Sequence, residues 1–342
     1  MGRLGHVPAL DGIRGLAIAL VVSMHAFGFP AGGFIGVDLF FVLSGFLITT
    51  LLLEEVEATG RISLRDFYER RVRRLLPALL VLLIVYSVVE AARGRSVLPA
   101  VAGLFYFSNF SNFLHLTAWR TNALDHLWSL AEEEQFYLVW PPILILLVRW
   151  RRLLAPLLLL VLAVLVAHRI ELVLNDAGAD RVDFALDTRS DGIIVGCILA
   201  IWRRNGDWLV PVCRRLLLVV GPVTVVLVFL LEQGRRPFPL LLPVIVVAFG
   251  ALVVVAAAEG PTSRALSNRP LVYLGSISYS LYLWHVPILF AFGHLSLHSR
   301  TLRGAIAIAI SLAVAAISTR YVEARFRRRR QPAMPRAGFE PA

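Results

Sequence analysis

Arg14 and His25 interrupt one apolar stretch near the start of the chain, eleven residues apart. On a helix this spacing returns to nearly the same face, with an offset of roughly 20°, and separates the two side chains by about 16 Å along the axis. A guanidinium suits a phosphate or a carboxylate. An imidazole, which changes charge near neutral pH, suits a general base for a hydroxyl. His25 is equally compatible with an interfacial or core histidine bonded to a neighbour, so the pair alone does not decide the chemistry.

Three further stretches add groups of the same kind. Residues 126–137 read HLWSLAEEEQFY, in which His126, Glu133 and Tyr137 recur at helical spacings and Glu132 to Glu134 are consecutive. Three successive glutamates on a helix point in three directions. At least one of the three therefore faces inward, with Glu133 or Glu134 suited to orient an imidazole or bind a sugar hydroxyl, unless the run is a solvated helix start. Residues 276–285, SISYSLYLWH, place Ser278, Tyr282 and His285 on a helix that is polar on more than one side. Hydroxyls of this kind also serve as glue between membrane helices. Residues 36–46, GVDLFFVLSGF, put Asp38 near one helix end and Ser44–Gly45 in its middle, where small residues permit close backbone approach. Finally ERRVRRLLP, from Glu69, sets Arg70/Arg73 and Arg71/Arg74 at i, i+3. Such pairs lie on one helix face and either clamp a diphosphate or 3′-phosphate or serve topology and lipid headgroups.

The elements that carry these residues belong in a membrane. The 342 residues are 58% hydrophobic and 17% charged, with a mean hydropathy of +0.74, against about 45–50% and about 25% in soluble domains. An ionisable group at the centre of a spanning helix costs roughly 2.5–3.5 kcal/mol on insertion scales, which makes the groups above functional candidates. The net charge of +11 comes entirely from arginine, placed mostly between apolar runs. That distribution reads as membrane topology and phosphate contact rather than a nucleic-acid face. Cys197 and Cys213 have no spacing that suggests a disulfide framework or a zinc site, and no metal-ligating set is expected. The first apolar stretch lacks a cleavage signature and is expected to stay as a helix.

Apolar segments fall at 9–28, 34–54, 75–92, 98–114, 128–148, 153–172, 190–202, 216–231, 240–258, 271–292 and 302–320. If all crossed, the basic linkers at 54–74 and 149–152 would face opposite sides, against the positive-inside rule. Segment 98–114, with Ser108, Asn109, Ser111 and Asn112, is the natural one to treat as re-entrant or interfacial. The expectation is an all-α polytopic membrane protein of about ten transmembrane helices, both termini cytoplasmic, in the plasma membrane. About 22 arginines then lie in inner segments and about 8 in outer ones. One membrane domain covers 1–330, and 331–342 reads as a disordered tail. Oligomeric state is not legible. No P-loop, dinucleotide fingerprint, HExxH or GxSxG motif occurs.

Taken together, LDGIRGLAIALVVSMH, GVDLFFVLSGFLI, RRVRRLLP, HLWSLAEEEQFYLVWP, TRSDGIIVGCILA and SISYSLYLWHVPI occur in an order that resembles the membrane-bound acyltransferase 3 family, bacterial O-acyltransferases of surface polysaccharides and small molecules. The resemblance runs from about Pro8 to Arg325. It implies ten transmembrane helices, no bound cofactor, and acyl-CoA as a donor substrate entering from the cytoplasm. Transfer would occur at His25, with Arg14, Arg71 and Arg74 on the donor side and Trp128 and Glu133 on the acceptor side. His126, Glu134, Asp38, Ser278, Tyr282 and His285 are expected to support the site. The acceptor would be a hydroxyl of a carbohydrate or other small molecule outside the cell.

On this reading His25 takes the proton of the acceptor hydroxyl as it attacks the thioester, and Glu133 or Asp38 holds the imidazole tautomer. An acyl-histidine intermediate is the competing version. Two other classes compete at this stage. A secondary transporter would also bury ionisable groups but would show paired, interrupted helices in two halves, and a non-catalytic scaffold would not need Arg14, His25 and Glu133 facing a bundle.

Overall fold

Glycines in the left-handed region end the first two long helices. Gly28 (φ 72°) closes α1, Pro8–Phe27, and Gly60 (φ 74°) closes α2, Gly36–Thr59, each donating its N–H back into the last turn. Ser63 then starts α3, Leu64–Ala92, by accepting from the Asp66 N–H. In the computed structural model these three helices begin an all-α chain whose described residues are 5–113, 123–235, 237–293 and 299–327, with no strand among them. The segment read as a disordered tail, 331–342, lies outside the described residues.

The remaining elements are α4, Leu98–Leu104; α5, Ser108–Phe113; α6, Leu127–Leu147; α7, Arg151–Leu174; α8, Ala179–Phe184; α9, Leu186–Arg189; α10, Asp191–Arg204; α11, Leu209–Leu230; α12, Pro237–Ala256; α13, Pro261–Leu266; α14, Arg269–Gly293; α15, Arg300–Ile317; and α16, Ala324–Arg327, the last two joined by a π-turn over Ser318–Glu323. Eight stretches of the described residues are long and apolar enough to cross a membrane. One of them, Leu127–Leu174, is 48 residues long and would measure about 70 Å if straight, more than twice a bilayer core. It breaks at the 3₁₀ turn Val148–Trp150 and reverses. Arg151 reaches Glu57 at the end of α2, whereas Arg169 reaches Asp191 at the start of α10. Helix α10 is short and mostly buried, and it runs parallel to α2 from Asp191 down to Arg204, which pairs with Glu54 and Glu57.

Segment 98–114 does not cross. It holds α4 and α5, of 7 and 6 residues, which are too short to span. It is drawn inward instead: Asn109 is fully buried and exchanges hydrogen bonds with Gln135 of α6 at 3.2 and 3.0 Å. Apolar side chains turned outward, such as Leu218 at 79% exposure, have no protein partner and suit lipid.

Two helix pairs approach closely enough that only glycine fits. A Cβ on Gly275 of α14 would lie 1.8 Å from the Asp11 carbonyl oxygen of α1, and one on Gly15 would lie 2.1 Å from the Leu271 oxygen. Between α2 and α10, Gly45 and Gly196 play the same part. Because the obstacle is backbone, no side-chain adjustment relieves it. Gly275→Ala should therefore lower stability by about 1–3 kcal/mol, read as a fall in Tm of the purified protein. Gly221→Ala, where a Cβ meets nothing within 4 Å, should leave Tm unchanged or raise it.

Candidate active site

The three glutamates of α6 take three directions, as a helix requires. Glu132 is fully buried on the side of Arg189 and Asp38. Glu133 accepts from the Ser44 hydroxyl of α2 at 2.6 Å. Glu134 accepts from Arg71 of α3 at 3.1 Å, and the Arg71 guanidinium also lies 3.3 Å from the centre of the Tyr137 ring. None belongs to a solvated helix start.

Between α1, α2, α3, α6 and α14 lies a cavity of about 150 Å³, open at part of its boundary. Arg14, Arg71 and Arg74 line it, Arg71 at the level of Glu134 on α6. Ser44 and Glu133 line it together, Ser129 and Tyr282 line it one turn further toward the start of α6, and Tyr137, Ser278 and an apolar wall that includes Phe40 and Leu47 complete the lining. Arg14 is held by Asp11 at 3.0 Å. The cavity thus offers both cationic donors and hydroxyls.

Next to Tyr282 stand three histidines: His25 on α1, His126 just before α6, and His285 on α14. The Tyr282 ring centre is 5.1 Å from that of His126 and 5.6 Å from that of His285, and its hydroxyl bonds Ser129 Oγ at 2.7 Å and donates to the His126 carbonyl. His285 is fully buried on α14, and its Nε2 is 3.2 Å from His25 Nδ1, on the last turn of α1. His25 is otherwise exposed and is not part of the cavity wall. His126 Nε2 lies 3.2 Å from the Leu283 carbonyl. That carbonyl is available because Pro287, four residues on, has no N–H to give it. The ring nitrogens that face backbone carbonyls are spoken for, and among the described residues no group of three or more ligating side chains is arranged to hold a metal ion.

Asp38 takes a different place from the one read in sequence. It is fully buried, 3.0 Å from Arg189, and outside the cavity wall. Arg169 pairs with Asp191 at 2.8 Å in the same buried cluster. The loop carrying Arg189 is fixed by Arg181, which bonds both oxygens of Asp187 at 2.8 and 2.5 Å. Burial pushes the Asp187 carboxyl up, but Arg181 holds it below its ordinary range. Trp128 packs between Phe41 and Phe184, with the Arg189 guanidinium 5.5 Å from its ring. No hydrogen bond joins Asp38 or Glu133 to His25 among the described residues; its ring is engaged by His285 and by the backbone of Val21, one turn earlier on α1. Glu133 and Glu134 lie with the arginines rather than with the histidines. Sequence reasoning missed Arg169 and Arg189, although an arginine inside the apolar run 153–172 was a visible signal.

The acyltransferase 3 family model, described as an acyltransferase domain, matches residues 7–320. The chain belongs to this family. Peptidoglycan O-acetyltransferase OatA of Listeria monocytogenes is 34% identical over 307 residues, covering 83% of this chain and 49% of that protein. The putative peptidoglycan O-acetyltransferase YrhL of Bacillus subtilis is 36% identical over 312 residues, covering 83% and 49%. O-acetyltransferase OatA of Staphylococcus aureus is 33% identical over 305 residues, covering 83% and 51%. The chain therefore spans about half the length of the curated relatives it matches. No solved structure matches it.

The Asp38–Arg189 pair should act as structure. Arg189→Met, which strands a buried carboxylate, should cost roughly 3–5 kcal/mol, and the double variant Asp38→Leu/Arg189→Met should lose clearly less than the two single losses added together. Thermal unfolding of the three variants measures this.

Proposed function

We propose that the chain transfers an acyl group, acetyl in the first instance, from acyl-CoA entering at the arginine-rich end to a hydroxyl of a peptidoglycan-type glycan arriving at the histidine end. The observation that carries this reading is the cavity itself. It joins Arg14, Arg71 and Arg74 to Tyr282, whose ring packs on His126 and His285, and His285 bonds His25. Guanidinium groups suit the phosphates of the donor, and a narrow, largely apolar passage suits a pantetheine arm. Relatives named as peptidoglycan O-acetyltransferases support the choice of acyl group and acceptor.

The arginine bias of the linkers supports placing the cationic end in the cytoplasm, both termini with it, and the histidines toward the outer face of the plasma membrane. The donor and acceptor then approach from opposite sides, and the protein's work is to bring them within reach of one base. Alignment of the two reactants supplies a large part of the rate gain.

In the reaction, His25 removes the proton of the acceptor hydroxyl as its oxygen bonds to the thioester carbonyl carbon. The carbon–sulfur bond then breaks, and the proton on His25 passes to the departing thiolate. Ester and free thiol result, and the histidine is regenerated. Ser44 holds Glu133 on the cavity wall, and Glu134, outside the wall, holds the lining Arg71 in place beside the donor path.

Proteoliposomes supplied with acetyl-CoA and an N-acetylated chito-oligosaccharide test the proposal. His25→Ala should lower kcat by about 10²–10⁴-fold with little change in the KM for acetyl-CoA, whereas Arg71→Ala/Arg74→Ala should mainly raise that KM. Undiminished transfer by His25→Ala, or equal rates with acetyl-CoA confined to the histidine side, would refute it.

A further inference from the structure

The hydrogen bond between the two site histidines has a direction. His285 Nδ1 lies 3.1 Å from the Leu281 carbonyl oxygen and 2.7 Å from that of Tyr282. Carbonyl oxygens only accept, so this nitrogen carries the hydrogen. The ring is fully buried, and no carboxylate is hydrogen-bonded to it among the described residues. A charge there would be uncompensated, so the ring is neutral and Nε2 presents a lone pair. The atom 3.2 Å from that lone pair is His25 Nδ1, which must be the donor. His25 is thereby assigned as the Nδ1–H tautomer, with Nε2 bare.

We infer that His285 is the positioning residue of the transfer reaction. It holds His25 in the one neutral tautomer that leaves Nε2 free as a base, and it fixes the ring about the shared hydrogen bond. This rests on the reading of His25 as general base. Where acid–base histidines often lean on a carboxylate, this one leans on a second, neutral imidazole whose own tautomer is set by the α14 backbone.

The proton inventory closes. When Nε2 takes the hydroxyl proton, His25 becomes an imidazolium and keeps the hydrogen on Nδ1. Its bond to His285 Nε2 then becomes charge-assisted and stronger as positive charge develops. Nothing leaves Nδ1 during the step, and the Nε2 proton goes on to the thiolate when the carbon–sulfur bond breaks. His126 completes the support. Its ring centre is 5.2 Å from that of His285 in an edge-on arrangement, and its Nε2 is engaged by the Leu283 carbonyl, so it braces His285 without competing for Nε2.

Magic-angle-spinning NMR of ¹⁵N-histidine-labelled protein in liposomes tests the inference, with His25 identified by the signals lost in His25→Gln. The wild type should show His25 protonated at Nδ1 and bare at Nε2. In His285→Ala those signals should move to the other tautomer or a mixture, and kcat for acetyl transfer to the chito-oligosaccharide should fall by about 10–100-fold while the KM for acetyl-CoA stays within about twofold. His285→Gln, whose side-chain carbonyl can accept from Nδ1–H, should recover part of both. An Nε2–H tautomer in the wild type, an unchanged tautomer and kcat in His285→Ala, or a loss that glutamine does not relieve would overturn it. Full transfer by His25→Ala would instead sink the base reading, and with it any catalytic part for His285, whatever the tautomer.

Discussion

Helix α1 meets α14 backbone to backbone, with Gly15 and Gly275 standing where any side chain would collide with a carbonyl of the partner helix. The rest of the site depends on that contact. Packing two helices at this range fixes their relative height and rotation, because neither can slide without a backbone clash. It sets His25, near one end of α1, against His285 of α14, while Arg14, about three turns earlier, lines the cavity. One helix thus carries both the cavity-lining Arg14 and His25, and its neighbour places His285 Nε2 3.2 Å from His25 Nδ1.

The second half of the bundle is held by charge. Asp38, Arg189, Asp191 and Arg169 are each nearly or fully buried and form two close ion pairs between α2, α9, α10 and α7. Groups like these are expensive in a membrane unless matched, and the matching ties the loop before α10 to the start of α2. On the cavity side the same logic holds Arg71 to Glu134 and Arg14 to Asp11. Arg14 and Arg71 are therefore held in fixed positions on the cavity wall.

Much of this was legible in the sequence, for physical reasons that also explain the gaps. Apolar runs of bilayer length announce spanning helices, and the polar residues of 98–114 exclude that segment from crossing, as α4 and α5 bear out. Helix α3 begins at Leu64, well before the apolar run at 75–92, because Ser63 caps an arginine-rich first half that hydropathy alone does not register. The shared face of Arg14 and His25 follows from helical pitch. The partners of these residues do not, since His25 and His285 are 260 positions apart and nothing local links them. For the same reason Asp38 and Glu133 were candidates to orient the imidazole on composition alone, whereas the fold gives Asp38 to Arg189 and Glu133 to Ser44.

On the proposed mechanism, a thioester approaching past the arginines reaches the histidine that a hydroxyl reaches from the other side. A cryo-electron microscopy structure with a non-hydrolysable acetyl-CoA analogue tests it most directly. The phosphates should lie against Arg14, Arg71 or Arg74, the pantetheine arm should run through the cavity past Glu133 with Tyr282 displaced from its bond to Ser129, and the analogue's carbonyl carbon should sit so that an acceptor oxygen about 3–3.5 Å from it also meets His25 Nε2. An analogue bound with its carbonyl remote from His25, or seated outside the cavity altogether, would contradict it.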